Sequence, residues 1–170
     1  MANFQTEIAK AVANELANPQ YASIQRVAKK VSSAFDGATG NAHGDKDGTL
    51  ATYPLFDVYG DCLVHVFGVC NVLPVGATGT LEVGVVGNTA VLIAQEVASE
   101  IAAGNVFVSA TQSVGAARLV GQPFVVAGDS TGAKRVIGEK VATADLTAGQ
   151  IDYYCLWIPL EPGARVEVAA

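Results

Sequence analysis

Ile151-Asp152-Tyr153-Tyr154-Cys155-Leu156-Trp157-Ile158-Pro159-Leu160 is the stretch whose reading decides the fold. Side chains alternate across an extended chain, so Ile151, Tyr153, Cys155 and Trp157 share one face and Tyr154, Leu156 and Ile158 the other. A half-solvated strand would carry polar residues on one of those faces; here only Asp152 interrupts. A strand apolar on both faces needs a second sheet, a helix or another subunit over each. Tyr153, Tyr154, Cys155, Leu156, Trp157 and Ile158 are therefore the candidate core or oligomer strand. Pro159 and Pro162 fall at its end, where ladder donors are no longer needed.

Working outward, Cys62 to Val72 repeats the pattern, with Cys62, Val64, Val66, Cys70 and Val72 on one side and Leu63, His65, Phe67 and Val69 on the other. In such a row His65 reads as a core or interface histidine. Leu55 to Tyr59 precedes it, and Gly60-Asp61 between them has the form of a hairpin turn. Thr80 to Val86 alternates Leu81, Val83 and Val85 with Glu82 and Gly84, a strand with one wetter face. Residues 89 to 103 stay open: Ile93, Val97 and Ile101 suit a helix ended by Gly104, and Ala90 to Gln95 suits a strand. An internal repeat stands beside them. Glu100-Ile-Ala-Ala-Gly104-Asn-Val106 matches Asp145-Leu-Thr-Ala-Gly149-Gln-Ile151 at a spacing of 45 residues, which suggests one turn used twice to start two strands.

Further strands are expected over 105–110, 122–127, 135–143, 150–160 and 164–168. Short strands with glycine-rich turns point to a mainly β fold, an antiparallel β-sandwich of jelly-roll-like form. Ahead of it, Phe4, Ile8, Val12 and Leu16 form a four-residue stripe suited to a thin amphipathic helix. Tyr21, Ile24, Val27, Ala28, Val31 and Phe35 also keep helical spacing, with Arg26, Lys29 and Lys30 as a basic cluster opposite. Neither stripe is wide enough to stand alone. The expected organisation is a helical or extended N-terminal arm over 1–35, a Gly/Asp-rich linker over 36–50, and a β-sandwich domain over 51–170.

The 170 residues are 51% hydrophobic and 15% charged, with net charge −6. So apolar and lightly charged a chain buries much of its surface or shares it with partners. Residues 1–50 hold five basic and five acidic side chains, leaving five and eleven for 51–170. Nucleic-acid binding by the main body is disfavoured, because counterion release needs a basic surface. With neither a signal-like start nor an apolar run long enough for a membrane helix, the chain reads as a soluble protein made in the cytoplasm. Cys62, Cys70 and Cys155 lack C-x-x-C spacing and read as buried thiols. On one strand Cys62 and Cys70 would lie about 26 Å apart at ~3.3 Å per residue, beyond disulfide reach.

No residue set points to catalysis, a metal or a cofactor. Asp45-Lys46-Asp47-Gly48 resembles part of a calcium loop, but His43 and Pro54 occupy ligand positions. Gly128 to Arg135 has phosphate-loop glycines one residue short of the required spacing, and reads as a hairpin loop. A Ser/His/Asp triad would have to recruit His43 or His65, the only histidines. Asp57 and Asp61 flank a turn where solvated acids are ordinary.

Asp36-Gly-x-Thr-Gly with His43-Gly-Asp-Lys-Asp-Gly48, Gly60-Asp-Cys-Leu-Val-His-Val-Phe-Gly-Val-Cys70 and Ala148-Gly-Gln-Ile-Asp-Tyr-Tyr-Cys-Leu-Trp157 resemble a family of small structural proteins of tailed bacteriophages. The resemblance covers most of residues 36–170 and carries over no functional residues. It implies a virion protein, most simply a capsid decoration or cement protein on the head surface. Its partners would be the major capsid protein and sister copies, a trimer being favoured, with no nucleic acid and no membrane. Phe4, Ile8, Val12, Leu16, Arg26, Lys29 and Lys30 are then the candidate capsid-docking arm. The alternative is a head-fibre or tail-associated module that binds host-surface glycan.

Overall fold

A computed structural model describes residues 25–38, 40, 42–49, 53–108, 124–128 and 133–170. Two antiparallel sheets face each other across one core. The first holds β1 (Arg26–Lys30), β9 (Ala148–Pro159), β3 (Cys62–Val75), β6 (Val106–Phe107) and β7 (Phe124–Val126), the last two sharing the far edge of β3. The second runs β10 (Arg165–Val168), β2 (Pro54–Tyr59), β8 (Arg135–Ala142), β4 (Thr80–Val85) and β5 (Asn88–Val97).

The two doubly apolar stretches are neighbours. β3 and β9 pair from Cys62↔Pro159 to Val75↔Ala148, with irregularities after Cys70 and Val72. Opposed residues of an antiparallel ladder point the same way. Val64 with Trp157, Val66 with Cys155 and Cys70 with Ile151 thus enter the core together. Gly68 lies opposite Tyr153, and the missing side chain matters: a Cβ there would stand 2.6 Å from Ile151 Cγ2 and 3.1 Å from the Tyr153 ring. From the other sheet, Phe56, Val58, Leu81, Val83, Ile93 and Ile137 complete the interior.

Several expectations are corrected. Residues 26–30 are a strand, paired from Arg26↔Trp157 to Lys30↔Tyr153, so the sandwich begins inside the expected arm. Helical spacing lost because five residues make few helical bonds of their own, whereas the edge of β9 offers a complete ladder. Gly60-Asp61 joins β2 in one sheet to β3 in the other and closes no hairpin. Likewise the ends of the Gly128–Arg135 connection lead from β7 in the first sheet to β8 in the second. Residues 88–97 are a strand followed by a single 3-10 turn at Ala98–Glu100, which settles the open segment as extended.

The repeat keeps its glycine conformation but not its turn: Gly104 lies in a turn ahead of β6, whereas Gly149 is the second residue of β9. Gly104 (φ +86°) and Gly149 (φ +112°) both occupy the left-handed side that favours glycine. Ile101 and Leu146, three residues earlier in each copy, are both buried. The strands that follow, β6 and β9, flank β3 on opposite edges.

The expected linker is packed where it is described. Phe35 N–H donates to Gly149 O at 2.9 Å, Gly37 N–H to Leu146 O at 2.8 Å, and Leu146 N–H to Gly44 O at 2.8 Å. The chain over 31–48 is therefore strapped to the segment that leads into β9.

Candidate functional site

The outward side of the first sheet is the feature that distinguishes this molecule. Leu63, His65, Phe67 and Val69 on β3 and Tyr154, Leu156 and Ile158 on β9 are half-buried by one another. Around them Val27, Val106 and Val125 are 62%, 57% and 48% exposed. Register places Val27 beside Leu156, Val106 beside Val69, and Val125 beside Leu63, which makes the patch continuous across four neighbouring strands and onto β7. Within it Phe67 and Tyr154 stack with centroids 5.2 Å apart and planes 7° apart. A shallow concavity lies between Gln25, Leu63, His65, Leu156 and Ile158. The outward side of the second sheet is different in kind, with Asp57, Thr80, Glu82, Gly84, Lys140 and Glu167 at facing positions. The outer side of the first sheet is thus mainly apolar, with His65 and the Lys29–Asp152 pair also on it, while on the second the acids Asp57 and Glu82 are largely buried.

The candidate strand splits between the two environments. Tyr153, Cys155 and Trp157 are core, at 0%, 0% and 6% exposure. Tyr154, Leu156 and Ile158 belong to the outer patch. Among the described residues a single face of this strand is covered by another layer, and the outer side chains shelter one another.

The basic candidates are engaged internally. Arg26 lies over the Trp157 ring at 5.0 Å. Lys29 pairs with Asp152 at 3.2 Å and sits over the Tyr154 ring, two partners that raise its pKa. Lys30 donates to the Ala169 carbonyl at 2.7 Å, tying the first sheet to the residue that follows β10 of the second. They close the edge of the sandwich instead of forming a basic helix face. Phe4, Ile8, Val12 and Leu16 lie outside the described residues.

One polar constellation escaped the sequence reading. His43 Nε2 lies 2.9 Å from Glu139 Oε1, and Tyr153 donates its hydroxyl to Glu139 Oε2 at 2.5 Å. Burial and the neighbouring carboxylate push the Tyr153 pKa well up. The His43 ring stacks on Tyr53 at 3.4 Å and meets Phe35 at 4.4 Å. Ser33 Oγ is 3.2 Å from His43 Nδ1, so a serine, a histidine and a carboxylate do converge. Yet the Ser33 carbonyl oxygen lies 3.1 Å from that same nitrogen. A carbonyl only accepts, so it competes with the hydroxyl for this nitrogen: Nδ1 either holds a hydrogen toward the carbonyl or takes one from the hydroxyl, not both. Glu139 sits 96 residues from His43, a separation at which no local spacing signals a pair.

The remaining motifs resolve into structure. Asp45 accepts the Asp47 N–H at 2.8 Å, an Asx turn. Asp57 accepts from Lys134 at 2.7 Å, and Asp61 from the Gly128 N–H at 2.6 Å. Burial pushes Cys62 up to about 11, and raises Cys70 and Cys155 as well. Among the described residues no group of three or more His, Cys, Asp or Glu side chains is placed to hold a metal ion, and no helix is long and apolar enough to cross a membrane. Comparison with protein-family models, curated proteins and solved structures finds no match.

Proposed function

We infer that this chain is a structural protein of a tailed-phage virion, a capsid decoration or cement protein that binds the outer surface of the head. The observation that carries the reading is the continuous apolar side of the first sheet, with valines about half exposed or more at its margin. Association keeps such a patch from water, and closed rings of identical subunits are the economical way to do so. Sister sandwiches meet through this face, in a trimer; the polar layer faces solvent. Contacts with the major capsid protein are individually weak and act together through multivalency. The role is structural, without catalysis or cofactor. The segment resemblances described above support the same class.

The test has two stages. Mass measurement on the isolated protein should give a trimer that Leu156→Lys or Phe67→Lys converts to monomer, while far-UV circular dichroism stays β-type. Heads lacking the protein should then bind the wild type to saturation. A monomer at tens of micromolar that also fails to bind heads overturns the reading, and selective binding on a glycan array would replace it with a head-fibre or tail-associated module. Removing residues 1–24, which leaves β1 whole, isolates the arm's share of binding.

A further inference from the structure

The described chain starts at Gln25, a residue that lines the shallow concavity of the apolar face beside Leu63, His65, Leu156 and Ile158. Residues 1–24 therefore join the sandwich at the margin of its unpartnered side. In the sequence Phe4, Ile8, Val12 and Leu16 are the large apolar side chains of residues 2–20, and they recur every four positions. That spacing is the stripe of a helix about 18 Å long, twelve steps of ~1.5 Å. The width to be covered is similar: from β1 through β9 and β3 to β6 is three inter-strand spacings of ~4.8 Å, about 14 Å before side chains are added. Leu16 stands nine residues before Gln25, a tether of up to about 30 Å at ~3.3 Å per residue, long enough to reach every strand of the face. Asn18-Pro19 ends the helical spacing inside that tether.

Stripe and face each lack a partner. So short and narrow a helix gains little on its own in water, and a continuous apolar patch is uncommon on a free monomer. Attachment through a short linker gives the stripe an effective concentration of millimolar order at the face, so even a weak contact prevails over sister copies present at micromolar concentration.

We propose that residues 4–16 lie across the apolar face of their own sandwich in the free chain, and that sister copies displace them in order to associate. The competition, though not the docking itself, rests on the trimer reading above. A face covered about nine-tenths of the time binds a sister copy about tenfold more weakly. Association then begins where copies are concentrated, and it releases the segment for contacts elsewhere.

The experiment compares the full chain with the chain lacking residues 1–24 and with a full-length chain carrying Ile8→Asp and Val12→Asp, which removes the stripe and keeps the tether. Sedimentation over a concentration series measures self-association. Diazirine footprinting of the monomer measures exposure of Phe67, Tyr154 and Leu156. Both altered chains should associate at least about tenfold more tightly than wild type, and as monomers should label at these three side chains up to about tenfold more. The buried Tyr153 should stay unlabelled in all three chains, which separates an uncovered face from a loosened fold. Unchanged labelling in the altered chains overturns the proposal, as does a wild type that shows no monomer at nanomolar concentration. Labelling that rises while association stays equal or weakens overturns the competition with sister copies. Should none of the three chains self-associate, the trimer reading fails and the labelling still decides the docking.

Discussion

Tyr153→Phe removes one oxygen atom from the centre of the molecule and leaves the ring where it is. Tyr153 is fully buried, and its hydroxyl donates to Glu139 Oε2 at 2.5 Å. The phenylalanine ring would keep its edge-on contact with Phe107, at 6.5 Å between centroids, so packing is almost unchanged. What changes is the carboxylate, which loses a donor in a place water does not reach. Hydrogen bonds to charged groups contribute about 1.5–3 kcal/mol, and orphaning a buried partner sits at the upper part of that range. For a chain of this size about 2.5 kcal/mol corresponds to a fall of roughly 5–10 °C in Tm. Urea unfolding at pH 7 and a thermal scan measure it directly. In a Glu139→Gln background the same change should cost less, about 1 kcal/mol, because the acceptor is then neutral. A Tm within 1 °C of wild type, or an equal cost in both backgrounds, would refute the reasoning.

Three glycines form a graded series. Gly68→Ala puts a methyl 2.6 Å from Ile151 Cγ2 and should destabilise by about 1–3 kcal/mol in urea unfolding. Gly149→Ala, at φ +112° and 2.4 Å from the Pro74 Cα, meets backbone and should cost more, about 3 kcal/mol or above. Gly87→Ala, at φ +89° with open space around it, should cost only about 1 kcal/mol. Among the thiols, Cys62 is raised by burial from near 9 to about 11, so the folded protein should react slowly with a thiol reagent at pH 8 and urea-unfolded protein rapidly. Because the folded value is the higher one, the stability tied to this thiol is intact below pH 9 and is lost between pH 9 and about 11, measurable as a falling urea midpoint.

Much of the sandwich was legible because its period is two. Nine residues of β9 and eleven of β3 alternate without a polar face, and both are central strands of one sheet. The repeated glycine was legible for a related reason: a left-handed φ favours a residue without Cβ at the same point in each copy. Arg26 to Lys30 misled, since in so short a run Val27 and the lysines fit a helical stripe as well as a strand, and the deciding contribution is a ladder to residues some 130 positions away. Gly60-Asp61 misled in the same way: the turn residues are those of a hairpin, and only the packing of two layers sends the strands on either side into different sheets.

By itself the sequence determined the extended character of the chain, its punctuation by glycine, and the excess of apolar side chains over what one core accommodates. These are properties of neighbours along the backbone, set by alternation and by φ. Only the tertiary structure decided which of the two apolar faces of β9 goes inside, that Val27, Val106 and Val125 extend the other face into one patch, and that His43, Glu139 and Tyr153 meet. Those outcomes depend on register and on which sheet each strand joins, and both are fixed by contacts between residues far apart in the chain.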